Sequence, residues 1–464
     1  MRPGFDLAGK RLLVVGLART GLVTSLFAAA YGADVTALDA KPESELRETA
    51  ERLRAAGVKL ELGAHIPATF LRQDLIVLSP GVPANLPQLE QARAHGIPVW
   101  SEIELAWRFL RGKLVAVTGS NGKTTTTALI AHILKGASIP TLIGGNIGTP
   151  LLSLVETSTD STVTVAEVSS FQLETVDEFR PEIGVLLNLT PDHLDRHASF
   201  EEYAAAKMRM FDKQLDRDVA VLNADDPEVA RRMPSHPLVY WFSRTKRVAQ
   251  GTFLRDGQIF FRDRGSEIAL GRRDQISLRG EHNVENVLAA CAAAYLAGAE
   301  PSDIAAGINS FRAVEHRLEF VAEVGGVSYY NDSKATNVDA ALKAIEAFPG
   351  SLTVILGGKD KGSPYTPLRE PLRARAKAAL LIGAAAKKIA ADLAGAVPCE
   401  QAGTLERAVK IAAERTQSGD IVLLAPACSS FDQFEDYEHR GRAFKELVAR
   451  LENQSVAESS PRKG

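Results

Sequence analysis

Residues 119–125 read Gly-Ser-Asn-Gly-Lys-Thr-Thr and follow an apolar run that begins at Leu114. A glycine-rich turn between a strand and a helix can aim several backbone N–H groups at one point, and the helix N-terminus adds positive field there. Such a cradle suits a polyphosphate. Gly119, Ser120, Asn121 and Gly122 would form its floor, and Lys123 would lie along the β- and γ-phosphates. The Thr124 hydroxyl, next to Thr125, would hold Mg²⁺. The loop is a compact variant, because the position where the common pattern has its first glycine is Val117. ATP is the nucleotide this segment predicts.

A second candidate is the acid that ends the apolar run TVTVAEV, Glu167. Unpaired carboxylates are expensive to bury, so an acid leaving such a strand beside a phosphate loop reads as a Mg²⁺ ligand, with a helix cap or ion pair as the plainer alternative. Further on, NLTPDHLDRH concentrates Asp192, His193, Asp195, Arg196 and His197 after another strand; by itself it is also compatible with a polar surface loop. Near the N-terminus, RLLVV runs into Gly16-x-Ala18-x-x-Gly21, and Asp39 closes the next strand. This is close to a dinucleotide-binding turn with Ala18 replacing a glycine. The loop LSPGVP, residues 78–83, points to the same crevice. Nothing downstream supplies hydride transfer, so a nucleotide-diphosphate substrate is favoured there over NAD.

The elements that must position these residues alternate between short apolar strands and helical stretches in three blocks. They predict three α/β domains, each built on a mainly parallel, doubly wound sheet. The N-terminal one is Rossmann-like over 1–111, the central one a phosphate-loop ATPase type over 112–313, and the C-terminal one Rossmann-like over 314–452. Residues 453–464 read as a disordered polar tail. A hairpin is expected at Asp256-Gly257.

The composition narrows the class. At 464 residues the chain suggests two to four domains, and its 45% hydrophobic content can build real cores. No run reaches the roughly 20 apolar residues of a membrane span, and the first residues lack a signal-peptide layout. A net charge of −3 argues against nucleic acid. The three cysteines lie far apart, which indicates neither a disulfide scaffold nor zinc. The expectation is a cytoplasmic, monomeric enzyme with no membrane insertion.

The set TGSNGKTT, GGNIGTP, EVSSFQLE, NLTPDHLDRH, YAAAK, GEHNVENVLAA, EHRLE, YYNDSKATN, LGGKDKG and ACSSFDQFEDYEHRG, in this order, resembles the Mur ligase family of ATP-dependent amide-forming enzymes. NDSKATN and ACSSFDQF look like the branch that adds D-glutamate to UDP-N-acetylmuramoyl-L-alanine in peptidoglycan assembly. The resemblance implies that Lys123 and Thr124 hold ATP phosphates and a first Mg²⁺, with Glu167 on that metal and His193 on a second. Lys207, ending YAAAK, matches a carbamylated lysine of the family; read without the family it is a solvated helical lysine. Asn283 and Asn286 would frame adenine, Arg317 and Lys334 would reach the γ-phosphate, and Asp332 would help close the nucleotide site. Thr20, Asp39, Ser79 and Gly81 would take the UDP end of the substrate, and Asn146, Ser169, Gln172 and His193 its muramoyl-alanine arm. Thr336, Lys361, Ser430 and Tyr437 would receive D-glutamate.

The implied chemistry activates the alanyl carboxylate as an acyl phosphate, which the amine of D-glutamate attacks. Positioning and electrostatics carry such a reaction, so no Ser-His-Asp set is needed. Arg317, Lys334 and Lys361 lie beyond the second boundary, which predicts domain closure during turnover. Three other readings compete. A folylpolyglutamate-type or other ligase of the family should carry a different C-terminal signature. An oxidoreductase would rest on the Gly16 turn and Asp39, and a non-catalytic nucleotide-binding scaffold has no need of Lys123, Glu167, His193 and Lys207 together.

Overall fold

The computed structural model describes residues 5–63, 67–146, 148–193, 196–312 and 314–459, with side chains as far as residue 452. Among them are three sheets. The first takes β1 (Arg11–Val15), β2 (Asp34–Asp39), β3 (Lys59–Leu62), β4 (Leu75–Leu78) and β5 (Val99–Ser101) in the order 3-2-1-4-5, all parallel. Strands such as LIVL of β4 are buried throughout, as a sheet covered on both faces requires. The order reverses between β1 and β4, where the strand ends open a crevice.

The second sheet contains β6 (Lys113–Thr118), β7 (Thr141–Gly145), β8 (Val163–Glu167), β9 (Ile183–Leu186), β10 (Val219–Asn223), β11 (Leu238–Ser243), β12 (Gly251–Arg255), β13 (Gln258–Asp263) and β14 (Ser266–Arg272). The order is 14-13-12-11-10-9-6-8-7, and only the pairs 12–13 and 13–14 are antiparallel. The expected hairpin joins β12 to β13. Asp256 (φ 52°) and Gly257 (φ 73°) are both left-handed, the geometry of a two-residue turn matched to strand twist. Strand β6 lies between β8 and β9, with Val117 opposite Glu167 and Thr118 opposite Leu186. That register brings the phosphate loop, Glu167 and the segment after β9 to one edge.

The third sheet runs β15 (Glu319–Val324), β16 (Val327–Asn331), β20 (Ile421–Leu424), β17 (Leu352–Gly357), β18 (Ala376–Ile382), β19 (Cys399–Gly403); only the edge strand β15 is antiparallel. The loops leaving β16, β20 and β17 begin at neighbouring C-terminal strand ends. They carry, respectively, residues 332–336, 425–430 and 358–361.

Two compact units result. One comprises Met1–Leu189, Glu201–Gln275 and Glu285–Ser310 and holds the first two sheets; the other comprises Thr190–Phe200, Ile276–Val284 and Phe311–Gly464. The last helix, Tyr437–Ser459, runs into the segment expected to be disordered, because no glycine or proline interrupts it between Arg442 and Ser460. Residues 460–464 of that expected tail lie outside the described residues. Among the described residues, no helix is long and apolar enough to cross a membrane.

Candidate active site

In the first unit the phosphate loop is held from several sides. Gly122 has φ 87°, and a Cβ placed on it would come 2.1 Å from Oδ1 of Asn286, so only glycine fits. The N–H groups of Ser120 and Asn121 donate to the carbonyl oxygen and Oδ1 of Asn188 (3.0 and 2.8 Å), and the Asn188 amide donates back to Asn121 O (3.0 Å). Lys123 opens the helix Lys123–Gly136, yet its Nζ turns back to donate to the carbonyl oxygens of Gly119 (2.9 Å) and Ser120 (2.8 Å). A lysine folded over its own loop is placed to meet anionic oxygens. Thr125 is buried in the first turn of the same helix.

Glu167 is buried at the end of β8. One carboxylate oxygen accepts from the Thr124 hydroxyl (2.8 Å), the other from the Asn146 amide (3.0 Å). Both partners are neutral, so the buried negative charge lacks a counter-charge from either of them. Carboxylate and hydroxyl oxygens are hard donors, and together they fit Mg²⁺. Lys207 lies on the helix Phe200–Met208. It is not solvated as the bare sequence suggests: it is 1% exposed, and its Nζ donates to Gly119 O at 2.9 Å. Tyr203, one helical turn earlier, donates its hydroxyl to Ser120 Oγ (2.9 Å), and its ring centroid lies 4.6 Å from the Lys207 Nζ. Lys123, Thr124, Glu167 and Lys207 thus gather around one loop.

At the β1–β4 crevice, Asp39 accepts the N–H of Leu17 (2.6 Å) and of Lys41 (2.9 Å), while Ser79 donates its hydroxyl to Gly16 O (2.7 Å). Asp39 and Ser79 therefore also shape the Gly16 turn. Thr20 sits in the helix Arg19–Ala30, where its carbonyl accepts from Thr24, and Gly81 lies in the loop after β4 with open space where a Cβ would stand. Ser169 and Gln172 form a reciprocal cap on the helix Ser170–Leu173, with Asn146 on the loop beyond β7.

In the second unit, Asp192 links several assigned residues. It is buried, accepts the His193 N–H at 2.9 Å and the Asn337 amide at 2.8 Å, and stands 3.6 Å from His193 Nε2 and 4.0 Å from Lys361 Nζ. His193 itself has φ 54°. Arg317 is flanked by two left-handed residues, His316 (φ 64°) and Leu318 (φ 42°), a strained arrangement of the kind found at functional sites. Arg279, Asn283, Arg312, Arg317, Phe320 and Tyr330 line one pocket, in which two aromatics and three arginines suit a nucleotide. Burial pushes the Asp332 carboxyl up to about 7, against the pull of Arg317. Lys334 Nζ rests 3.8 Å from the Tyr437 ring centroid. Thr336 follows in the same loop, and Ser430 is buried in the loop after β20.

Asn283 and Asn286 share the helix Glu281–Ala297 but fall in different units, Asn283 with the Arg317 pocket and Asn286 with the phosphate loop. His193 likewise lies in the second unit, whereas Thr124, Glu167 and Lys207 lie in the first. The acids Glu315 and Glu319 converge with His316, but Lys445 Nζ meets both carboxylates (2.8 and 2.7 Å), so this cluster already has its cation. Sequence reasoning missed Asp192, Asn188, Tyr203 and Asn337 as site residues. Asp192 and Asn188 were visible as polar residues at a strand end, and Tyr203 stands at the i, i+4 spacing that puts it on the face of Lys207.

The chain matches the Mur ligase middle domain over residues 117–294, the Mur ligase glutamate ligase domain over 316–428 and the MurD-like N-terminal domain over 10–101. It is 54% identical over 452 residues to the UDP-N-acetylmuramoylalanine--D-glutamate ligase of Koribacter versatilis, covering 97% of this chain and 99% of that one. The proteins of the same name from Solibacter usitatus and Geotalea daltonii are 53% and 47% identical, over 96% of this chain and 99% and 98% of theirs. Among solved structures, the MurF ligase of Thermotoga maritima in complex with ADP superposes with a TM-score of 0.61 at 18% identity, covering 98% of this chain and all of that one. A pseudomurein peptide ligase type C from Methanothermus fervidus gives 0.59 at 20%, covering 96% of this chain and all of that one. At these identities the structural likeness is one of fold.

Proposed function

The chain belongs to the Mur ligase family, and we propose on that premise that it joins D-glutamate to UDP-N-acetylmuramoyl-L-alanine in peptidoglycan precursor synthesis, using ATP. The observation that carries the reading is the convergence of Lys123, Thr124, Glu167 and Lys207 on the loop at Gly119. The experiment that tests it is phosphate release with ATP, Mg²⁺ and the UDP substrate as single amino acids are added.

In this reading, residues 1–111 take the UDP end of the substrate through Thr20, Asp39, Ser79 and Gly81, and Asn146, Ser169 and Gln172 take the alanyl arm. Residues 112–313 hold ATP through the loop 119–125 with Asn283 and Asn286. Residues 314–452 supply Arg317, Lys334 and Asp332 to the nucleotide and Thr336, Lys361, Ser430 and Tyr437 to the amino acid. Backbone amides of the phosphate loop and the Lys123 ammonium orient the γ-phosphoryl group toward the alanyl carboxylate. Mg²⁺ held by Thr124 and Glu167, with a second ion near His193, would neutralise charge on the transferring phosphoryl group. The γ-phosphoryl group passes to the alanyl carboxylate as its bond to the departing ADP breaks; the acyl phosphate presents a carbonyl carbon to the free D-glutamate amine, the C–N bond forms, inorganic phosphate leaves, and the amine proton passes to phosphate or solvent.

A carbamate on Lys207 belongs to the same reading. It forms from the amine and CO₂ with loss of a proton, and would replace a cation beside the loop with an anion suited to a place among the metal ligands. One cation and two hydroxyls, Lys361, Thr336 and Ser430, suit a dicarboxylate such as glutamate, while the D configuration rests on the relatives' names. We further infer a cytoplasmic monomer that binds neither nucleic acid nor membrane.

A further inference from the structure

Arg440 is one of the largest fully buried side chains among the described residues and has no place in the roles assigned above. It sits in the first turn of the helix Tyr437–Ser459. Its Nε donates to Ser333 Oγ (2.9 Å), and Nη2 donates to Ser333 O (2.9 Å) and Cys428 O (3.2 Å). Nη1 donates to Cys428 O (3.3 Å) and Ser429 O (3.4 Å). Ser333 in turn donates its hydroxyl to Tyr437 O (2.8 Å).

Each acceptor stands within two residues of an assigned residue. Ser333 precedes Lys334 in the loop that reaches Thr336, Cys428 and Ser429 precede Ser430, and Ser333 grips the main chain of Tyr437. A third loop is fitted against the same group. A Cβ on Gly358 would come 2.2 Å from Ser429 O and 3.2 Å from Arg440 Nη1, and Gly358 leads to Lys361. Taking a guanidinium out of water is costly, and here its hydrogen-bond partners are main-chain carbonyls and one hydroxyl. Burial lowers its pKa to about 10, which leaves it charged at neutral pH. The planar guanidinium fork presents its N–H groups to acceptors on both loops in fixed mutual directions, which a single ammonium nitrogen does not reproduce.

We propose that Arg440 is a positioning residue for the incoming amino acid: through Ser333, Cys428 and Ser429 it sets the mutual spacing of Thr336, Ser430 and Tyr437. The inference rests on the proposed reading of those residues as the D-glutamate site.

The test uses the full-length chain with Ser333→Ala, Arg440→Lys and Arg440→Ala. Steady-state phosphate release is measured while D-glutamate, ATP and UDP-N-acetylmuramoyl-L-alanine are varied in turn. In Ser333→Ala and Arg440→Lys, KM for D-glutamate is expected to rise on the order of 10-fold or more, with the other two KM values within about twofold. Added guanidinium should partly restore D-glutamate KM in Arg440→Ala but not in Ser333→Ala. A fall in kcat that tracks the folded fraction, with all three KM values unchanged, would overturn the proposal. Ser333→Ala removes one hydroxyl only and decides the matter if the Arg440 variants do not fold. Wild-type protein without D-glutamate-dependent phosphate release would instead remove the reading beneath it.

Discussion

Lys207 donates from Nζ to the carbonyl oxygen of Gly119 at 2.9 Å, which ties a buried helical lysine to the first glycine of the phosphate loop. The same carbonyl also accepts from Lys123 at 2.9 Å. Two lysines therefore meet on one backbone oxygen of the loop, while the Thr124 hydroxyl that follows the loop reaches the Glu167 carboxylate at 2.8 Å.

If Lys207 carries a carbamate in the working enzyme, its removal is not equivalent to loss of a cation. Lys207→Ala should lose at least ~100-fold in kcat. Formate or acetate should restore part of the rate by replacing the missing oxygens. Intact mass of active protein should show the added CO₂, and activity should drop in CO₂-depleted buffer. Full activity from an unmodified lysine would rule the carbamate out.

Lys123→Ala should lower phosphate release by roughly 10²–10³-fold, since it deletes a donor aimed at developing charge. The fold should persist because the side chain serves the loop rather than a core. UDP-substrate binding, measured by calorimetry, should be unchanged. Near-normal turnover in a folded Lys123→Ala protein would detach this loop from ATP.

Glu167→Gln keeps an oxygen for the Thr124 hydroxyl but removes the negative charge. The Mg²⁺ concentration needed for half-maximal activity should rise about 10- to 100-fold, and Thr124→Val should shift it in the same direction. An unaltered Mg²⁺ titration in both variants would contradict the ligand assignment.

Burial pushes the Glu102 carboxyl up to about 7, although its Oε1 accepts the Leu152 N–H at 2.7 Å. Between about 4.5 and 7 the folded protein keeps a proton that the unfolded chain has released. Stability from this group therefore falls as pH rises through that window and stays lower above it. Glu102→Gln is neutral throughout, so its apparent Tm should vary less between pH 5 and 8, by a free-energy difference on the order of 3 kcal/mol at most. Asp332 acts in the same direction in both proteins, so the difference between them is the quantity to read. Identical pH profiles would show that Glu102 stays ionised.

Much of this was legible because strand ends carry the chemistry in parallel sheets. TGSNGKTT after β6 and Glu167 at the end of β8 could be placed from apolar runs alone, and their proximity follows from the register Val117–Glu167. The hairpin at Asp256-Gly257 announced itself by turn chemistry. What stayed hidden depends on tertiary closure. Lys207 is a charged residue on a short helix, and only packing against Gly119 and Tyr203 reveals that it is buried. Arg440, within YEHRG, looks like a surface charge until the loops after β16 and β20 wrap it. Asp192 could not be told from its charged neighbours in DHLDRH, because its partners Asn337 and Lys361 lie more than a hundred residues away.

The most direct test gives the purified protein ATP, Mg²⁺ and UDP-N-acetylmuramoyl-L-alanine, then presents D-glutamate, L-glutamate, L-lysine, meso-diaminopimelate and D-alanine separately while phosphate release is recorded. A site that pairs two carboxylates rejects analogues lacking one, because its polar groups are left unsatisfied. The expected result is stoichiometric phosphate and amide product with D-glutamate, and rates lower by ~100-fold or more with L-lysine and D-alanine, which lack the second carboxylate; rejection of L-glutamate and meso-diaminopimelate is expected from the relatives' names. A preference for any other amino acid, or phosphate release indifferent to all five, would contradict the assignment of this chain as a D-glutamate ligase.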